Sequence, residues 1–145
     1  LHWDGVSWTA QPSPLSGQPV FTVTGRAADD MYAVGGIAGT VIRWDGEVWS
    51  AIDMGDLSWQ VPPGIWTAPG QDVYVSGLSG QVARLDCTEG WEVPEPINGH
   101  LLHGIWGDSQ GGIYTVGGDI MTPLDDHQGT FAVAGREVPP LPLPE

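Results

Sequence analysis

An all-β fold is predicted by three features of this 145-residue chain: a period of about 41 residues, short apolar runs of alternating character, and turn residues between the runs. Independent landmarks keep that period. Asp4, Asp45 and Asp86 stand 41 and 41 residues apart, Trp8, Trp49 and Trp91 stand 41 and 42 apart, and Tyr32, Tyr74 and Tyr114 stand 42 and 40 apart. The runs are rich in Val, Ile, Tyr and Trp, which suit a pleated strand whose successive side chains face opposite ways. No window holds a 3.6-residue period long enough for a helix.

Each whole repeat contains four runs. The first ends as VPPGIWT at Thr67 and LLHGIWG at Gly107, with VFTVTG ending at Gly25 as a divergent copy. The second is DDMYAVGG from Asp29 to Gly36, QDVYVSG from Gln71 to Gly77 and GGIYTVGG from Gly111 to Gly118. GTVIRWDG, GQVARLDC and GTFAVAG supply the third, and the fourth centres on residues such as Trp91-Glu92-Val93. Sequential strands on short connections pair antiparallel, so each repeat is expected to fold as a four-stranded meander.

The W-D-G-x-x-W device joins the third and fourth runs. It occurs as HWDGVSW at 2–8, as RWDGEVW at 43–49 and in worn form as RLDCTEGW at 84–91, where Cys87 replaces the Gly and one residue is inserted. Asp45 is expected to accept hydrogen bonds from backbone NH groups just downstream, while the Gly takes positive φ. The flanking tryptophans, Trp3, Trp8, Trp44, Trp49 and Trp91, are expected to pack between neighbouring sheets, and Trp66 and Trp106 occupy matching first-run positions. With Asp4, Asp45 and Asp86 they form the structural skeleton of the repeat.

Four strands in about 40 residues is the signature of a propeller blade. The expected architecture is therefore a β-propeller portion of about three and a half blades: an outer half-blade at 1–17, whole blades at 20–55, 61–99 and 101–138, and a Pro-rich tail at 139–145 that cannot extend a sheet. Closed propellers typically have about four to eight blades. The expectation is a part of a larger ring, completed by another polypeptide or a second copy, with Leu1 following a processing site or lying inside a longer chain. An open end would present a Trp-rich face.

The unit hydrophobic-x-G-I-W-G, then D-h-Y-x-V-G-x-x-G-x-h-x-R-W-D-G-x-x-W, resembles the secreted β-propeller repeats of myxobacteria and other bacteria. It is also similar to Asp-box (BNR) blades of sialidase-like and photosystem-assembly propellers. The resemblance covers nearly the whole chain and implies a secreted, periplasmic or surface location. It leaves activity open, because propellers host binding, scaffolding and catalysis alike.

Charge narrows the partners. Eighteen Asp and Glu against four Arg and no Lys give a net charge of −14, which repels nucleic acid and anionic lipid. No apolar run is long enough for a membrane helix, and no signal peptide stands in these residues. Cys87 is the single cysteine, so it forms no disulfide within the chain.

Site candidates are few. Arg43 and Arg84 hold equivalent positions, with His2 at the matching place, and either face a shared groove or form ion pairs with nearby carboxylates; the ion pair is the simpler expectation. A sialidase-like centre would need three converging Arg with Tyr and Glu, and no such cluster is evident. His100 and His103 in HLLH are expected to point to opposite faces of a strand, and would share one ion only if the chain turned there. The insertion at 119–128, DIMTPLDDHQ, gathers Asp119, Asp125, Asp126 and His127; its oxygen ligands would suit Ca²⁺, but their spacing matches no known calcium loop, so a solvated loop is the simpler expectation and a protein-contact surface ranks ahead of the metal. No serine triad, Cys-His pair, phosphate loop or zinc motif is present. The expected role is a non-catalytic binding or structural module with no cofactor, acting in protein–protein interaction or assembly. A lectin-like, carbohydrate-binding propeller is the alternative, and a glycan-acting hydrolase the third.

Overall fold

The computed structural model describes residues 1–55, 63–86, 90–96 and 99–118, together with a strand at Thr130–Ala134. These residues form an all-β chain in which every strand pairing is antiparallel. A leading hairpin joins β1 (His2–Trp3) to β2 (Trp8–Thr9). A four-stranded sheet follows, made of β3 (Val20–Ala27), β4 (Asp30–Gly35), β5 (Thr40–Trp44) and β6 (Trp49–Ala51). The next sheet holds β7 (Gly64–Trp66), β8 (Val73–Ser76), β9 (Val82–Asp86) and β10 (Gly90–Glu92). The last described sheet contains β11 (Leu102–Gly107), β12 (Ile113–Gly117) and β13 (Thr130–Ala134).

Strand order within each sheet follows chain order, so each is a meander. The repeat landmarks also share one register. Tyr32 lies opposite Arg43, Tyr74 opposite Arg84, and Tyr114 opposite Val133. Among the described residues the only helical element is a short 3-10 turn at Leu78–Gly80 between β8 and β9.

Period-two alternation sends the apolar side chains to two different clusters. On β4, Tyr32 and Val34 face the sheet β7–β10, where they meet Ile65, Val73, Val75 and Ala83. Ala33, between them, faces the other way and packs with Ile42 on Leu15, in the segment after β2. Neither face of β4 is left to solvent, which explains why it reads as a nearly continuous apolar run from Met31 to Val34.

Neighbouring sheets are also joined by hydrogen bonds along their first strands, with β3 beside β7 and β7 beside β11. The Thr22 hydroxyl donates to the Pro63 carbonyl at 2.8 Å, and the Thr24 hydroxyl donates to the Thr67 carbonyl at 3.2 Å. At the following junction the buried Ser76 hydroxyl donates to the Leu102 carbonyl at 3.1 Å, and the Leu102 amide donates to Gly77 at 3.1 Å. Gly35 and Gly117 are demanded by close backbone approach: a Cβ on either would collide with the carbonyl of Pro19 or Leu101, respectively.

Candidate functional site

The two intact W-D-G turns have the same geometry. Asp45 Oδ1 accepts from the amides of Glu47 at 2.9 Å and Val48 at 2.8 Å, while Asp4 Oδ1 accepts from Val6 at 2.8 Å and Ser7 at 2.7 Å. Gly46 and Gly5 take φ of 100° and 98°, values that favour glycine. The Val48 and Glu47 amides hold the Asp45 carboxyl below its ordinary pKa, and those of Ser7 and Val6 do the same for Asp4. Asp86 ends β9, and the turn after it, including Cys87, lies outside the described residues.

The tryptophans divide differently from the expectation that all flanking Trp pack between sheets. Trp3 and Trp8 are cross-strand partners, as are Trp44 and Trp49, with ring centroids 5.5 Å and 5.7 Å apart. This stacking closes each hairpin from within, the usual benefit of directly opposed aromatics. Contact beyond the hairpin falls to the fourth-strand Trp, which reaches backward along the chain to the segment that follows the preceding sheet. Trp49 Nε1 donates to Gln11 Oε1 at 3.3 Å and Trp91 Nε1 donates to the Asp53 carbonyl at 3.0 Å, each partner lying 38 residues earlier. Trp66 reaches forward: a Cβ on Gly107 of the next sheet would collide with its ring.

Both arginines are committed to carboxylates rather than to a shared groove. Arg43 Nε pairs with Asp30 Oδ1 at 2.9 Å; Arg84 pairs with Asp72 at 3.3 Å and with Glu92 at 2.6 Å. Asp30 and Asp72 each stand two residues before the repeat Tyr, so the same cross-strand pair is written twice. Arg26, outside the repeat pattern, adds a second partner to Asp30 and hydrogen-bonds the Tyr32 hydroxyl. Arg26 and Arg43 lie 5.2 Å and 5.9 Å from the Tyr32 ring centroid, within range of cation–π attraction. Burial works to raise the Asp30 pKa, but the hydrogen bonds and charges of Arg26 and Arg43 outweigh it and hold the carboxyl below its ordinary value. Burial pushes the Tyr32 and Tyr74 hydroxyls up.

In the last sheet the ladder changes. Gly112 replaces the Asp and Val133 the Arg, so both members of the pair are substituted together, and the Tyr114 hydroxyl donates instead to Asp108 Oδ2 at 2.9 Å. Sequence reasoning missed Arg26, Asp30, Asp72, Asp108, Gln11 and Asp53. The recurring D-h-Y spacing was the available signal for Asp30 and Asp72.

His103 sits at the β-bulge between Leu102 and Gly104, and its Nε2 lies 3.2 Å from the Gly118 carbonyl. Among the described residues, no three His, Cys, Asp or Glu side chains converge as a metal site would require. The proposed Ca²⁺ ligands Asp119, Asp125, Asp126 and His127 lie outside the described residues.

Three tryptophans stand at the ends of the sheet series with large exposed areas: Trp3 at 47%, Trp8 at 64% and Trp106 at 58%. Phe21, Val20 and Val23 on β3 are likewise exposed. No described helix is long and apolar enough to cross a membrane. The fold and its contacts define an all-β protein of stacked antiparallel meanders. No family model and no curated protein matches the chain.

Proposed function

We propose that the chain is a β-propeller portion acting as a non-catalytic binding and structural module, completed by another polypeptide. The observation that carries this reading is a repeated contact, in which the fourth-strand Trp binds a group in the segment just after the preceding sheet, 38 residues earlier, at two successive junctions. A contact repeated at a fixed interval rotates each unit onto the last in the same way, as blades do around an axis. The inner strands β3, β7 and β11 standing side by side support the same arrangement. Arg43 and Arg84 serve as cross-strand ties, which favours a scaffold over an anion-binding catalytic centre. The secreted or surface location and kinship with bacterial Asp-box-like repeats belong to this proposal through the sequence resemblance.

A lectin-like role is the second reading, favoured by the exposed indoles of Trp3, Trp8 and Trp106, since exposed aromatic faces suit sugar stacking. Native mass spectrometry of the particle isolated from its source, with a glycan array run on the same material, separates the two. The module reading expects a particle heavier than the 15.4 kDa chain and no glycan signal. A folded 15.4 kDa monomer whose glycan binding disappears in Trp8→Ala would establish the lectin reading instead.

A further inference from the structure

We infer that the outer edge of β1 and the exposed face of β3 form a docking slot for a β-hairpin of the chain's own repeat type, supplied by another polypeptide segment. The hairpin consists of a G-I-W strand followed by a D-h-Y strand. This inference rests on the proposed stacking of repeat units and names what fills one end of the stack.

Register identifies what the edge of β1 lacks. Trp3 lies opposite Trp8 as Trp44 lies opposite Trp49 and Leu85 opposite Trp91, so β1 occupies the place of β5 and β9. Both β5 and β9 take a D-h-Y strand on their other edge, with Tyr32 opposite Arg43 and Tyr74 opposite Arg84. Among the described residues β1 pairs with β2 alone. His2 stands at the Arg position, where an incoming Asp would meet it as Asp30 meets Arg43 at 2.9 Å and Asp72 meets Arg84 at 3.3 Å.

The face of β3 gives a second, independent observation. Val20 and Leu102 are equivalent, being opposite Gly35 and Gly117, yet Val20 is 51% exposed and Leu102 0%. Val23 and Ile65 are equivalent, being opposite Ala33 and Val75, yet Val23 is 61% exposed and Ile65 2%. Ile65 is covered by Tyr32, Val34 and Val41 of the preceding sheet, and Leu102 is tied to Ser76 and Gly77 of its own preceding sheet. The slot on β3 therefore continues an interface the chain already makes twice. Gln11, just after β2, already holds Trp49, so the outer half of the preceding unit is in place and the two inner strands are what the slot admits.

A second copy of the folded chain does not supply them. Its own D-h-Y strands β4 and β8, and the matching β12, are each hydrogen-bonded on both sides. Pairing at the edge of β1 with alternate side chains reaching Val20 and Val23 is strand addition, in which backbone bonds give affinity and side-chain seats give register.

The test uses the 145-residue chain labelled with ¹⁵N and a synthetic peptide of residues 63–78, the β7–β8 hairpin. Saturable amide shifts at His2, Trp3, Val20 and Val23, absent with a scrambled peptide, are expected. Val23→Asp, placed at an already exposed position, is expected to weaken binding by about tenfold or more, because docking would bury an unpaired charge. Absent shifts, equal shifts from the scrambled peptide, or binding indifferent to Val23→Asp would each overturn the inference. Concentration-dependent self-association that shields the same residues without peptide would also overturn it, by giving the slot to a second copy. In all these failures a nuclear Overhauser contact between the Trp91 indole NH and Asp53 still reports the stacking of units; its absence would instead undo the stacking itself.

Discussion

Trp8, Trp49 and Trp91 are one repeat position in three surroundings, so replacing each by Ala separates the hairpin's own contribution from that of sheet stacking. Truncating a fully buried large aromatic costs about 3–5 kcal/mol. Trp49 is only partly buried, packed against Leu15, Ala33 and Ile42, and it also loses the bond to Gln11. Roughly half the full cost of burial, with the hydrogen bond included, gives about 2–3 kcal/mol for Trp49→Ala. Trp91, packed on the cluster between the two four-stranded sheets, is expected to show a similar loss. Trp8 is 64% exposed and gives up mainly its contact with the Trp3 ring, so Trp8→Ala should cost about 1 kcal/mol or less. For a chain of this size each kcal/mol lowers Tm by about 2–4 °C, so Trp49→Ala should melt about 4–12 °C early and Trp8→Ala within about 4 °C of the parent. Thermal melts followed by near-ultraviolet circular dichroism, supported by urea titration, read these differences. Equal losses at all three positions would refute the backward reach of the fourth-strand Trp, since the hairpin contact alone would then account for every one of them.

Trp49→Phe keeps a packed ring but removes the indole NH, and urea titration should record about 0.5–1.5 kcal/mol. Gly35→Ala forces a methyl group into the Pro19 carbonyl and should cost about 1–3 kcal/mol by the same titration, provided the chain still folds. Asp45→Ala should lower Tm, whereas Asp45→Asn should retain most of the parent value because its amide oxygen still accepts from Glu47 and Val48. Asp30 has a folded pKa below its ordinary 3.8, so its contribution is fully present above that value and is lost as pH falls through the folded value. Chemical denaturation in steps from pH 6 to pH 2 should therefore show a stability loss beginning near pH 4 that is shallower in Asp30→Asn.

The parts of this structure that were legible in the sequence are those set by local chemistry. An Asp followed by Gly can cap its own turn, and both Asp4 and Asp45 do so with amides two and three residues on. Alternation on β4 placed Tyr32 and Val34 opposite Ala33, and the fixed spacing of Tyr and Arg gave the same cross-strand register in two sheets. The direction of the tryptophans was not legible, because whether a ring closes its own hairpin or reaches another sheet depends on contacts between distant segments. Trp49 does both, touching Trp44 within its hairpin and Gln11 outside it. Arg26 shows a different limit: it belongs to no repeated motif, and only folding brings it between Asp30, Tyr32 and the Gln71 carbonyl. Gly112 and Val133 stand in the sequence where earlier repeats carry Asp and Arg, but only the folded Asp30–Arg43 ion pair ties the two positions together.

Stacking of successive units in one register is the central claim, and paramagnetic relaxation measures it most directly. With Cys87 changed to Ser, a nitroxide placed at Pro12→Cys should broaden the Trp49 indole NH more than that of Trp91, because the Trp49 indole lies against Gln11. A nitroxide at Asp53→Cys should broaden the Trp91 indole NH more than that of Trp8, following the bond from Trp91 to the Asp53 carbonyl. That paired pattern is the result the stacking predicts; two labels that leave Trp49 and Trp91 equally sharp would contradict it.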